Sequence, residues 1–292
     1  DLEGARGAGD VNALVGDASK LETLEAAGIR SAPNVIVTTH DELFREASVP
    51  QERGNPAAKE VLRYRQALMV GFDLVRRNNL LTQNDIVGIQ RELEQNEAGF
   101  RKVPGTTLKD NAGRVVYTPP QDNTEIIRLM TDLERFINDN DASRIDPLVR
   151  MALIHHQFES IHPFYDGNGR TGRIVNVLYL VKEGQLDLPV LYLSRYIVRT
   201  KSEYYRLLQG VREQDAWEEW VVYLLRGIEE TARAGVGTVK AIHAALLEVK
   251  HLVRKQYKFY SQDLISNIFS RPYTKVQFVQ DELRVSRIAA TR

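Results

Sequence analysis

The chain has 292 residues, 43% of them hydrophobic and 27% charged, and 39 Lys and Arg balance 39 Asp and Glu. That composition supports a large buried core and excludes a mostly disordered chain or one that holds nucleic acid by overall charge. Cys is absent from the sequence, which excludes a disulfide scaffold, a Cys-ligated zinc site and a thiol nucleophile.

No apolar run approaches the roughly 20 residues of a membrane-spanning helix. The first residues, Asp1 to Gly7, lack the pattern of a secretory signal. A cytoplasmic protein without a membrane partner is the expectation.

Taken in chain order, residues 18 to 28 read as a short helix, with Ser19 and Glu22 as a capping pair and Gly28 as its stop. Asn34 to Thr39 is a short β-branched run, and Asp41 opens another helical stretch. Lys59 to Asn78 is a stronger helix, with Leu62, Leu68, Phe72 and Val75 near one face. Thr82 to Glu94 repeats the pattern with Ile86, Ile89 and Leu93. Thr124 to Asn138 does so with Ile127, Met130, Leu133 and Ile137. Pro147 suits a first helical turn, and a helix should run from there to about Ser160. Thr171 to Gly184, Ser202 to Glu213, Ala216 to Ala234 and Val236 to Tyr257 complete the long helices. Short helices end the chain. They are broken at Arg271-Pro272 and close on Val285-Ser286-Arg287-Ile288, a helix-turn-helix pattern.

Val103 to Pro120 departs from this helical run. The turn cluster Asp110-Asn111-Ala112-Gly113 lies between Thr- and Val-rich arms, which reads as a β-hairpin.

The chemistry is concentrated in His162-Pro163-Phe164-Tyr165-Asp166-Gly167-Asn168-Gly169-Arg170-Thr171-Gly172-Arg173. An apolar helix ends just before this stretch and another begins within it. Gly167 and Gly169 allow a tight turn and close approach to a ligand. Backbone N–H groups at the start of the second helix suit an anion. Arg170 and Arg173 share a helical face and offer forked donors to phosphate. Asp166 is a hard oxygen ligand suited to Mg2+. His162 suits a general base. Together they describe a phosphoryl- or nucleotidyl-transfer site. The Lys-Ser/Thr ending of a Walker loop is absent.

This stretch resembles the Fic family signature, HPFx(D/E)GNGRxxR, at every specified position. The resemblance extends over about residues 38 to 235, including Tyr192 to Ile197 and Ser202 to Leu208. It implies a mainly α fold: a helical core with a β-hairpin flap, then a small helix-turn-helix or winged-helix-like tail. The division it implies is 1–58 as an N-terminal helical, regulatory segment, 59–235 as the Fic core and 236–292 as the tail.

The implied activity is protein adenylyl transfer (AMPylation): AMP passes from ATP to a Ser, Thr or Tyr hydroxyl of a target protein, with release of pyrophosphate. Carried over by position, His162 deprotonates the target hydroxyl and Asp166 holds Mg2+. Asn168 with the backbone of Gly167 and Gly169 forms an anion hole, and Arg170 and Arg173 engage the β- and γ-phosphates. Thr171 and Gly172 complete the nucleotide-binding stretch. Tyr196 and Arg199 are candidates for the border of the adenine. Leu108 and Lys109 are candidates for the flap edge that meets the target. A homodimer, self-modification and weak DNA contact through the tail are further partner readings that the resemblance implies. Two functional alternatives stay open: a nucleotide-sensing DNA-binding regulator, and a transferase that uses another phosphate-containing donor.

Related proteins carry an inhibitory helix, (S/T)xxxE(G/N), whose Glu pairs with the second arginine. Here Thr38xxxGlu42 and Ser48xxxGlu52 match only the first half of that pattern, being followed by Leu43 and Arg53. The expectation is therefore an Arg173 open to ATP.

Overall fold

The computed structural model describes residues 56–110, 112–139, 145–270 and 274–291. The expected elements between residues 18 and 45, and both partial inhibitory patterns, lie outside the described residues. The chain divides into two compact units, one ending at Pro189 and one beginning at Val190.

In the first unit, α1 (Pro56–Asn78) and α2 (Gln83–Glu94) form an antiparallel pair. Thr82 starts α2 with a capping box: its hydroxyl accepts from the Asp85 N–H, while the Asp85 carboxylate accepts from the Thr82 N–H at 2.8 Å. α3 (Asn123–Asn138) is capped by Asp122, α4 (Pro147–Ile161) by Asp146 with Pro147 in its first turn. α5 (Asn168–Lys182) packs against α1, α2 and α4.

A close approach occurs at Gly71. A Cβ there would lie 2.4 Å from Leu178 Cδ1 and 2.9 Å from Ile89 Cδ1, so α1, α2 and α5 meet at a residue without a side chain. The core around it is Ile86, Ile89, Met130, Ile154, Phe158, Ile174 and Leu178, each fully buried.

Between α2 and α3 stands the hairpin, β1 (Leu108–Lys109) antiparallel to β2 (Val115–Tyr117), with Leu108 opposite Tyr117 and Lys109 opposite Val115. Asp110 builds its turn by accepting from the Ala112 and Arg114 N–H groups at 2.9 Å. Gly113 supplies the positive φ of 79°.

The second unit contains α6 (Leu193–Arg199), α7 (Lys201–Gln214) and α8 (Trp217–Gln256), joined by packed rings of Tyr196, Tyr204, Trp220 and Tyr223. Three short helices follow: α9 (Gln262–Ser270), α10 (Val276–Leu283) and α11 (Arg287–Ala290). Buried Asn267 ties α9 to α10 by donating to the Glu282 carboxylate at 2.7 Å.

Among the described residues, the mainly α architecture with one hairpin is as the sequence implies, with two departures. The expected helices on either side of Gly235 are one 40-residue helix. Gly235 and Gly237 lie inside it with open space around them. Each glycine weakens a helix by about 1 kcal/mol without dictating its end. In α3 the buried strip is Ile126, Met130, Leu133 and Ile137, while Ile127 is 44% exposed. Steps of four, three and four place Ile126 in register with the strip.

Candidate active site

α4 is covered on nearly all sides, and its end carries the first site residue. His162 caps it in the left-handed conformation (φ 49°, ψ 57°), its N–H donating to the Phe158 carbonyl at 3.0 Å. A non-glycine residue tolerates that backbone only where its surroundings hold it. Arg101 does so from one side, Nε donating to the His162 carbonyl at 2.7 Å.

Below the loop, Phe164 is fully buried between Phe158 and Phe100, with ring centroids 6.4 and 5.4 Å away. Asn168 closes the loop on itself. Its Oδ1 accepts from the Phe164 N–H at 2.9 Å and its Nδ2 donates to the Phe164 carbonyl at 2.8 Å. The amide placed in an anion hole by resemblance is thus also the clasp that sets the loop's shape.

Gly167 begins α5 with φ 80°. A Cβ there would stand 2.4 Å from Glu94 Oε1, so both the backbone and the space require glycine. The Thr171 N–H donates to the Gly167 carbonyl at 2.8 Å, starting the helix, and no side chain caps it. An uncapped first turn, with its N–H groups and the positive end of the dipole, is suited to phosphate. Asp166 sits at its edge, side chain 79% exposed, accepting from the Gly167 N–H at 2.6 Å. An exposed carboxylate beside such a turn fits Mg2+, which keeps several waters and needs only one or two protein oxygens besides phosphate.

The two arginines have different surroundings. Arg170 is 24% exposed and joins three helices, pairing with Glu60 of α1 and with Glu94 of α2 at 2.9 Å, while Asp166 lies 3.6 Å away. Burial raises the Glu94 pKa, and the Asp166 and Glu60 charges add to this while the Arg170 charge opposes it.

Arg173 lies on the α4 side. Its Nη1 is 3.2 Å, and Glu159 Oε1 3.9 Å, from the point a Cβ on Gly169 would occupy. Glu159 also lies 2.8 Å from where a Cβ on Gly172 would stand, so Gly172 is what lets this carboxylate reach α5. A buried carboxylate, Glu159, thus shares the neighbourhood of Arg173. His155 completes this cluster. Burial, then the Arg173 charge and His156, push its pKa down to about 3, so it is neutral at physiological pH.

The sequence missed Glu60, Glu94, Arg101 and Glu159. Only Glu159 left a local signal, the one carboxylate in a largely apolar helix.

The other candidates lie apart in sequence. Tyr196 and Arg199 belong to the second unit. The Tyr196 ring packs on Tyr223 with centroids 5.2 Å apart, and Arg199 lies over the Tyr196 ring and pairs with Glu230 at 2.6 Å. Leu108 is half-buried and Lys109 exposed on β1.

The loop and the uncapped helix N-terminus, with a histidine and a carboxylate at their rim, form an arrangement suited to an anion such as phosphate. Residues 80–180 match the Fic/DOC family, and residues 246–292 match the domain described as "Protein adenylyltransferase SoFic-like, C-terminal domain".

Among curated proteins, the "Protein adenylyltransferase fic-1" of Caenorhabditis elegans is 28% identical over 183 residues, covering 59% of this chain and 34% of that protein. The "Protein adenylyltransferase Fic" of Drosophila melanogaster is 33% identical over 91 residues, 31% of this chain and 17% of that one. The chain spans about a third or less of the length of the curated relatives it matches. Among solved structures, a Fic family protein from Desulfovibrio desulfuricans G20 superposes with a TM-score of 0.59 at 20% identity, over 86% of this chain and 71% of that one. Residues 134–508 of Fic-1 from C. elegans give 0.53 at 24% identity, over 69% of this chain and 57% of that one. These superpositions establish the fold.

Proposed function

We propose that the chain is a protein adenylyltransferase that moves AMP from ATP to the hydroxyl of a Ser, Thr or Tyr side chain. The observation that carries this is the join of α4 to α5: a histidine at the end of one helix faces the same loop as the uncapped start of the next.

In this reading the triphosphate lies along Gly167, Asn168 and Gly169, with Thr171 and Gly172 behind them and Arg170 and Arg173 on the β- and γ-phosphates. His162 takes the proton as the target oxygen forms its bond to the α-phosphorus. The bond to the β-phosphate oxygen breaks, and pyrophosphate leaves. Fixed donors around the developing charge lower the barrier because they need no reorganisation during the step. Mg2+, held by Asp166, would supply charge neutralisation at the phosphates when bound. Leu108 and Lys109 offer the strand edge on which an extended target segment lies. The tail from residue 236 serves a partner, whether DNA, a second copy or the target.

The test is intact-mass and peptide analysis after incubation with ATP and Mg2+. The expected result is an AMP adduct on a hydroxyl residue of this chain or of an added protein, lost in His162→Ala. An adduct of another group, or none while ATP binds, would overturn the reading.

A further inference from the structure

One guanidinium joins the hairpin to the loop beneath the surface. Arg101 is fully buried. Its Nε donates to the His162 carbonyl at 2.7 Å, and its Nη2 to the carbonyls of Pro120 at 2.9 Å and Ile161 at 3.4 Å. Its N–H donates to the Pro163 carbonyl at 2.8 Å, and its own carbonyl accepts from the Asn123 amide at 2.7 Å. Its guanidinium donates only to backbone carbonyls, with no carboxylate among these partners, and Nη1 has no hydrogen-bond partner among the described residues. A buried cation held by carbonyls alone is an expensive way to fill a core, since an apolar side chain of like volume needs no desolvation. The helix dipole at the end of α4 offsets part of that cost. What the arginine adds is geometry: a planar fork fixes several acceptors at once, which no apolar residue can do.

Two tyrosines extend the same seam. Tyr117 of β2 donates to the Ser160 carbonyl at 3.0 Å. Tyr165, in the loop, accepts from the Lys102 and Val103 N–H groups at 2.9 and 3.1 Å. The four successive carbonyls from Ser160 to Pro163 are thus each bound by the hairpin or by the strip leading into it.

We propose that Arg101 is a positioning residue, with Tyr117 as its second anchor, that holds His162 and the hairpin edge Leu108–Lys109 as one rigid body. The hairpin is then a fixed guide rather than a hinged lid. A target strand laid on it presents its hydroxyl at a set distance from the base. This rests on the adenylyltransferase reading for the role of His162 but not for the coupling itself.

Arg101→Lys keeps the charge and loses the fork; Tyr117→Phe keeps the ring and loses one hydrogen bond, so it should fold. Hydrogen exchange without nucleotide is measured first. The expected result is that amides of residues 106–117 and of 161–166 both exchange about tenfold faster in each variant, while α3 keeps its protection. In steady-state transfer, kcat should fall about 10- to 100-fold in Arg101→Lys and less in Tyr117→Phe, with the KM for ATP within about twofold, because small misplacement of a reacting group costs rate more than nucleotide binding. A hairpin that exchanges faster while the loop does not, or a raised KM for ATP at unchanged kcat, would overturn the proposal. The exchange arm needs no turnover, so it judges the coupling even where no AMP transfer is found.

Discussion

α3 and α4 are neighbours of nearly equal length, 16 and 15 residues, with opposite characters. α3 buries one strip, Ile126, Met130, Leu133 and Ile137, and leaves the rest to solvent. α4 buries most of its residues, and among them are Arg150, His155, His156 and Glu159. On α3 the polar residues are cheap because water solvates them. On α4 each has to be matched by protein, and the matches are informative. Arg150 donates to the carbonyls of Asp139 and Phe136 and stacks on the Phe136 ring, fastening α4 to the end of α3. His155 and Glu159 face the second helix of the site, near Arg173. α3 is a scaffold read by its period; α4 is a scaffold into which a site has been set.

The largest expected effect is in acid and belongs to α4. Unfolded, His155 takes a proton near pH 6.5; folded, only near 3, so between those values the unfolded chain holds more protons. The stability gained by keeping it neutral is fully present above pH 6.5 and is lost as pH falls toward 3, a change on the order of 5 kcal/mol. Denaturant titrations across that window should show a flatter pH dependence in His155→Phe. An unchanged slope would mean that α4 does not carry its histidine as described.

Next is the core itself. Phe158→Ala in α4 should cost about 3–5 kcal/mol, and Ile126→Ala in α3 about 2–5 kcal/mol. The comparison is sharpened by function: only the first should also lower nucleotide binding, because Phe158 supports Phe164 and the loop. Equal losses of ATP affinity, by calorimetry, would erase the distinction. Gly172→Ala follows, at about 1–3 kcal/mol, because a methyl group there meets Glu159 at 2.8 Å and Phe158 at 3.0 Å. Thermal melting reads the stability, and ATP binding should weaken with it. The smallest effect is on the solvent face of α3. Arg128 pairs with Glu125 and Asp132 at 2.8 and 2.9 Å, but all three are well exposed, and Arg128→Ala should leave the melting temperature unchanged.

The same contrast explains what the sequence could reveal. Helices with one wet face, α2 and α3, were legible from their period, apart from the one-residue slip at Ile127. α4 and α5 were legible as apolar runs interrupted by a motif. The hairpin was legible because Asp110 and Gly113 dictate a turn locally. Arg101 was not, because Arg101-Lys102 reads as a surface pair and its partners are backbone carbonyls some twenty and sixty residues away. Glu60 and Glu94 were hidden for the same reason: each looks like an ordinary exposed glutamate until the fold brings Arg170 between them. The continuity of α8 was missed because two glycines weaken a helix without dictating its end.

The most direct measurement is transfer from ATP labelled on the α-phosphate beside ATP labelled on the γ-phosphate, with Mg2+ and with His162→Ala as the control. The account expects label from the α-position alone on protein, reduced about 10²- to 10⁴-fold without the histidine. Label from the γ-position, or α-label that persists in His162→Ala, would contradict it.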